Sequence, residues 1–126
     1  MQEELIQLTK QLFDYNQRFL TYYHEVRETG EQKPFFEFVK PFADEVAKVN
    51  GDWKTLMKVW LNENETSHLH LHQLESVSEH IERLSIQAFF PETSRSRFLN
   101  AQRTVEYFLT ETISQMKKQN RDGFRT

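Results

Sequence analysis

Seven apolar residues, Leu5, Leu8, Leu12, Tyr15, Phe19, Tyr22 and Val26, recur at alternating intervals of three and four. An interval set of that kind keeps side chains on one stripe of an α-helix and cannot be laid on one face of a strand. Ile6, Phe13, Leu20 and Tyr23 widen the stripe on one side. A stripe this broad is suited to burial against two or more neighbouring helices rather than to a two-stranded coil. The chain must therefore supply further helices.

They follow in order. Phe35, Phe38, Phe42, Val46, Val49, Trp53, Leu56 and Trp60 keep the same spacing straight through Asn50-Gly51. A break would reset the phase, so one helix is expected from about 34 to 61, with Trp53 and Trp60 buried on one stripe; two shorter helices with Asp52 as an N-cap are the alternative. Pro34 suits its first turn. Pro41, which lacks a backbone donor, should bend it. Leu74, Val77, Ile81, Leu84 and Ala88 form a third pattern over about 67–90, with the small Ser78 and Ser85 beside it. Thr66 or Ser67 would cap that helix. Phe98, Ala101, Val105, Phe108, Thr112 and Met116 mark a fourth over about 95–118.

The joints agree with these segments. Gly30 stands where a left-handed residue closes the first helix, and Pro91-Glu92-Thr93-Ser94 punctuates the last pair. Residues 119–126 read as a fraying polar tail. Helices of about 24 to 28 residues rise roughly 36 to 42 Å at 1.5 Å per residue. Matched lengths and short connections give an all-α, single-domain, four-helix up-and-down bundle with antiparallel neighbours.

Two polar residues fall inside the first stripe. Thr9 and Asn16 each have apolar residues at all four i±3 and i±4 positions. Thr9 can bond back to the carbonyl of residue 5. Asn16 needs a partner across the core, such as Gln102 or a serine of the third helix.

Composition excludes several chemistries. The chain has 126 residues and no cysteine, which removes disulfides, thiolate nucleophiles and thiolate-bound zinc. No apolar run reaches the roughly 18 residues of a membrane span. The opening Met1-Gln2-Glu3-Glu4 has no export character. A cytoplasmic protein with no membrane association is expected. Serines occur without a nucleophile elbow and without a glycine-rich phosphate loop. Residues 1–90 hold 9 basic and 15 acidic side chains, and residues 91–126 hold 7 and 4. The basic groups of the second part, Arg95, Arg97 and Arg103 against Lys117, Lys118, Arg121 and Arg125, are separated by most of a helix. They form no continuous groove for nucleic acid.

Several strings resemble a known family. Lys40-Pro41-Phe42-Ala43-Asp44-Glu45-Val46 with Trp53-Lys54, Ser85-Ile86-Gln87-Ala88-Phe89-Phe90, Arg97-Phe98 and Tyr107-Phe108-Leu109 together resemble the YppE-like family of small bacterial proteins. The resemblance covers nearly the whole chain. It implies a four-helix bundle with no established activity, and it carries over no catalytic residues.

Two candidate sites remain. His68, His70 and His72 follow Glu65; on a helix, His68 and His72 would share a face and chelate a metal with Glu65 nearby. A solvated helix start is the plainer alternative, because no second Glu-x-x-His or inward carboxylate completes a di-metal set. Phe89 and Phe90 point about 100° apart, so one of them would be left as an exposed anchor beside Arg95 and Arg97, unless both plug the bundle end. His24 and His80, flanked by polar residues, are expected to face water. These readings favour a non-enzymatic interaction or accessory protein with a protein partner and no cofactor, as a monomer or weak homodimer. A metal-binding bundle is the alternative.

Overall fold

The computed structural model describes residues 2–66 and 68–124, with side chains through Gln119. Four α-helices, α1 (Gln2–Thr29), α2 (Lys40–Glu63), α3 (Leu71–Gln87) and α4 (Arg95–Phe124), form a single helical bundle, and no strand occurs among the described residues. A π-helical turn, Phe35–Val39, leads into α2.

Cross-helix bonds fix the topology. Asn16 bonds Gln102 and Gln17 bonds Glu106, while Gln2 reaches Met116, so α1 and α4 run antiparallel. Thr9 meets Trp53 and Tyr15 meets Glu45, which sets α2 antiparallel to α1. Asn50 bonds Ser78, and Lys54 pairs with Glu75, which sets α3 antiparallel to α2. The order is up, down, up, down.

The stripes meet in one core. Phe19, Val46, Trp53, Met57, Leu74, Phe98, Val105, Leu109 and Met116 are wholly inaccessible to solvent, and Trp60 is buried as well. The α2 helix is continuous through Gly51, whose position opens onto empty space. Gly30 takes φ +72° and donates to the Val26 carbonyl at 2.8 Å, closing α1 in the left-handed region.

Pro41 stands in the first turn of α2, and the turn just before it has π geometry: the Val39 N–H bonds the Pro34 carbonyl, and the Lys40 N–H bonds that of Phe35. The extra residue per ring shifts the stripe. Val39 is buried, whereas Phe35, placed by its spacing on the inner stripe, is 45 % exposed.

Two other boundaries differ from the sequence reading. The α3 helix starts at Leu71, not near 67. Leu69 inserts into the core, Thr66 Oγ1 donates to its carbonyl, and the His70 N–H is capped by Gln73 Oε1 at 2.9 Å. Ser67, the other expected cap, lies outside the described residues. The α4 helix continues to Phe124 rather than fraying after 118. Lys117, Lys118 and Gln119 are good helix formers, which suits continuation of the helix past residue 118.

Several interior polar groups are matched across the core, while Asn16 Oδ1, Tyr23 Oη and His80 Nδ1 are buried without a hydrogen-bond partner. Thr9 Oγ1 donates to the Leu5 carbonyl at 2.7 Å and accepts from Trp53 Nε1 at 3.0 Å. Asn16 is fully buried, and its Nδ2 donates to the Gln102 carbonyl at 3.0 Å. Asn50, also fully buried, donates to the Ser78 carbonyl and accepts from Ser78 Oγ.

Candidate functional site

The end of the bundle where the α1–α2 and α3–α4 connections meet is built from aromatic rings. Tyr22 of α1 lies 4.9 Å from Phe89, and Phe38 and Phe42 each approach Phe89 at 5.7 Å. Phe42 also meets Tyr15 and Phe19 edge-on, at 5.8 and 6.0 Å. Edge-to-face packing of this kind adds about 0.5–1.5 kcal/mol per pair beyond area burial. The residues arrive from α1, the π-helical turn with α2, and the end of α3, so the cluster ties these elements together.

Cations cover its flanks. The Arg18 guanidinium sits 4.9 Å from the Phe42 ring centre and donates to the Tyr22 hydroxyl at 3.0 Å. That bond raises the already high pKa of Arg18. Lys33 Nζ lies 4.9 Å from the Phe38 ring. Tyr15 Oη donates to Glu45 at 2.8 Å, and its pKa is pushed up to about 12, first by burial and then by that carboxylate. Arg27 stands over the Tyr23 ring, which stacks on Phe98 at 4.1 Å, and donates to the Thr93 carbonyl. Arg27 thereby links the end of α1 to the α3–α4 turn.

Above this support stand exposed apolar groups. Phe36 is 79 % exposed and Phe35 45 %, the two rings packed edge-to-face at 5.1 Å. Ile86, on the last turn of α3 at the same end, is also exposed, and Phe90 is half-buried.

The residues singled out in the sequence fall here unevenly. Phe89 is buried as the centre of the cluster and presents nothing to a partner, because the π-helical turn brings Phe38 over it. Phe90 stays partly at the surface, and Arg95 and Arg97 are exposed at the start of α4. Sequence reasoning misses Phe35 and Phe36 as surface residues. Periodicity assigns Phe35 to the core, and only the Pro34 and Pro41 pair around them hints at irregular backbone.

The histidine run sits at the opposite end. Its chelating geometry requires a helix spanning His68 and His72, and the helix begins at Leu71, so the two do not share a helical face. The stacked pair is His70 with His72, ring centres 5.8 Å apart. Glu65, His68 and His70 line an open polar depression of about 810 Å³. Among the described residues, no three His, Cys, Asp or Glu side chains gather closely enough to hold a metal ion. His24 is exposed, but His80 is half-buried with Nδ1 out of contact with water.

The structure is a small all-α helical bundle, and comparison with known proteins gives its family. Residues 9–116 match the model of a bacterial domain of unknown function (DUF1798), and the chain belongs to that family. It is 21 % identical over 109 residues to the uncharacterised protein YppE of Bacillus subtilis, covering 86 % of this chain and 89 % of YppE. The crystal structure of YppE superimposes with a TM-score of 0.91 at 19 % identity, over 95 % of this chain and 98 % of that one. A Listeria innocua protein of unknown function aligns with a TM-score of 0.90 at 25 % identity, over 95 % and 96 % of the two chains. Among the described residues, no helix is long and apolar enough to cross a membrane.

Proposed function

We propose that this protein is a non-enzymatic, cytoplasmic docking module whose partner-binding surface is the aromatic end of the bundle. The observation that carries the proposal is the exposure of Phe36, at 79 %, on the turn that packs Phe38 against Tyr22 and Phe89. Aromatic side chains on a pre-ordered support lose little conformational entropy on binding, which is the property of interface anchors. Phe35, Phe36, Ile86 and Phe90 supply the apolar centre. Arg95 and Arg97 supply a cationic rim, and Phe89 acts as the buttress beneath. The partner is a protein with an apolar patch flanked by carboxylates.

A photo-crosslinking phenylalanine at position 36, introduced in the native host, tests this. One discrete protein adduct is expected, lost when Phe35 and Ile86 are changed to serine. The same probe at the outward Tyr107 is the control. Identical adduct patterns at 36 and 107 would remove the assignment.

A further inference from the structure

We propose that Asn50-Gly51 is a latent modification site: it is sealed while α2 is intact, converts to an acidic residue when α2 opens, and so keeps the altered chain from rebuilding the α2–α3 contact. The site lies near the middle of α2 (Lys40–Glu63) and does not depend on the aromatic end.

Of the six asparagines in the chain, only Asn50 precedes a glycine. That pairing favours attack by the main-chain nitrogen of the second residue on the side-chain amide of the first. Glycine places no β-carbon in the path of the attack and leaves the opened backbone free to reach the geometry required. The Gly51 nitrogen, once base removes its proton, bonds to the Asn50 side-chain carbonyl carbon. The bond from that carbon to Nδ2 breaks, and Nδ2 leaves as ammonia with a proton from water. Water then opens the resulting cyclic imide at either carbonyl, giving aspartate or isoaspartate. The reaction consumes water and releases ammonia, with no redox change.

The folded structure blocks each of these steps. Asn50 is fully buried, so water and hydroxide are kept from it. Its Nδ2 donates to the Ser78 carbonyl at 3.0 Å, and its Oδ1 accepts from Ser78 Oγ at 3.3 Å, which fixes the amide towards α3 and away from its own main chain. Val46 and Trp53, one turn to either side, are wholly inaccessible to solvent and close the ends of the site. The Gly51 N–H is committed to the carbonyl of Ala47 in the helical ladder. A helical ψ of about −42° also holds that nitrogen away from the side-chain carbon. Gly51 itself is exposed, so the helix rather than burial guards its nitrogen.

The product does not fit the site. An acid at position 50 puts a negative charge in the core, where the amide hydrogen that met the Ser78 carbonyl is gone and two acceptor oxygens face each other. Isoaspartate also adds a methylene to the main chain and breaks the ladder in mid-helix. The conversion is not reversed by refolding, so the fraction of altered chains records the time α2 has spent open.

Peptide mapping by mass spectrometry follows the amide-to-acid conversion at position 50 in the full chain, held at mildly alkaline pH in increasing urea. The rate should follow the unfolded fraction reported by circular dichroism. Native protein should react about a thousandfold or more slowly than unfolded protein, the ratio expected for a site released only by opening of a core helix. In urea, position 50 should outpace Asn100, which precedes alanine. Gly51→Ala, which meets open space in the fold, should slow the conversion in urea severalfold. Asn50→Asp, the direct mimic of one product, should fail to fold or unfold at a clearly lower urea concentration than the wild type. The proposal is overturned if native and unfolded protein convert at comparable rates, if Asn50 and Asn100 react alike in urea, or if Gly51→Ala leaves the unfolded rate unchanged. An Asn50→Asp variant with the wild-type midpoint would overturn it as well.

Discussion

His80 shows how far a residue's neighbours in space can depart from its neighbours in sequence. Next to Glu79 and close to Glu82 and Arg83, it reads as a surface residue, yet its Nδ1 is buried without a hydrogen-bond partner. Burial lowers its pKa, and the nearby Arg83 lowers it further, against a smaller opposing effect of Glu79. The folded state therefore binds this proton less readily than the unfolded chain does. The contribution to stability is fully present above the unfolded value of about 6.5 and is lost as pH falls through the interval between that value and the lower folded one. Urea midpoints across this interval should fall with acidification, and His80→Gln should flatten the decline. A wild-type midpoint insensitive to pH there would contradict the assignment. Asn16 is the opposite case. Four apolar neighbours at helical offsets announce its burial, and its partner, the Gln102 carbonyl, lies on a helix the pattern points to. Asn50 carries a related signal, standing between Val46 and Trp53, but the adjoining Gly51 obscures it by suggesting a break in the helix.

At the scale of the element, the two central glycines have opposite roles that a substitution separates. Gly51 lies inside α2 with open space where a β-carbon would project, so Gly51→Ala should be neutral or stabilise the protein by up to about 1 kcal/mol. Gly30, at φ +72°, should respond to the same change with a loss of about 1–2 kcal/mol, because a β-carbon is strained in the left-handed region. Denaturation midpoints of the two variants should move in opposite directions or leave Gly51→Ala unmoved. Helix existence is legible throughout from the three-and-four spacing. Helix ends are less so. The start of α3 depends on Leu69 leaving the solvent, and Leu69 belongs to no periodic set. The π-helical turn lies between two prolines on one short stretch, and spacing alone cannot report a change of pitch.

At the scale of the molecule, the bundle brings together helices that are mostly neighbours in the chain, the α1–α4 pair being the main exception. Contacts of this kind close short loops, and domains rich in them fold within microseconds to milliseconds. Stopped-flow refolding followed by tryptophan fluorescence should be complete in milliseconds for the main phase. Trp53 is a suitable reporter, since it is wholly buried against Phe108 and Thr9. A dominant phase of seconds would mean that the α1–α4 closure, rather than local pairing, limits folding.

Helical periodicity is a local property that survives in a one-dimensional pattern. The helices, their number, their order and most of the buried side are therefore readable from the chain alone. So is the absence of thiol chemistry, which needs cysteine. Which of these apolar side chains stay in solvent is settled only by packing in three dimensions. Phe35, Phe36, Phe89 and Phe90 are equally apolar as letters, and their fates diverge because a widened turn before Pro41 moves Phe38 over Phe89 and turns Phe36 towards solvent. The histidine run is decided in the same way. Its spacing permits chelation on a helix, and the insertion of Leu69 into the core places the helix start beyond His68.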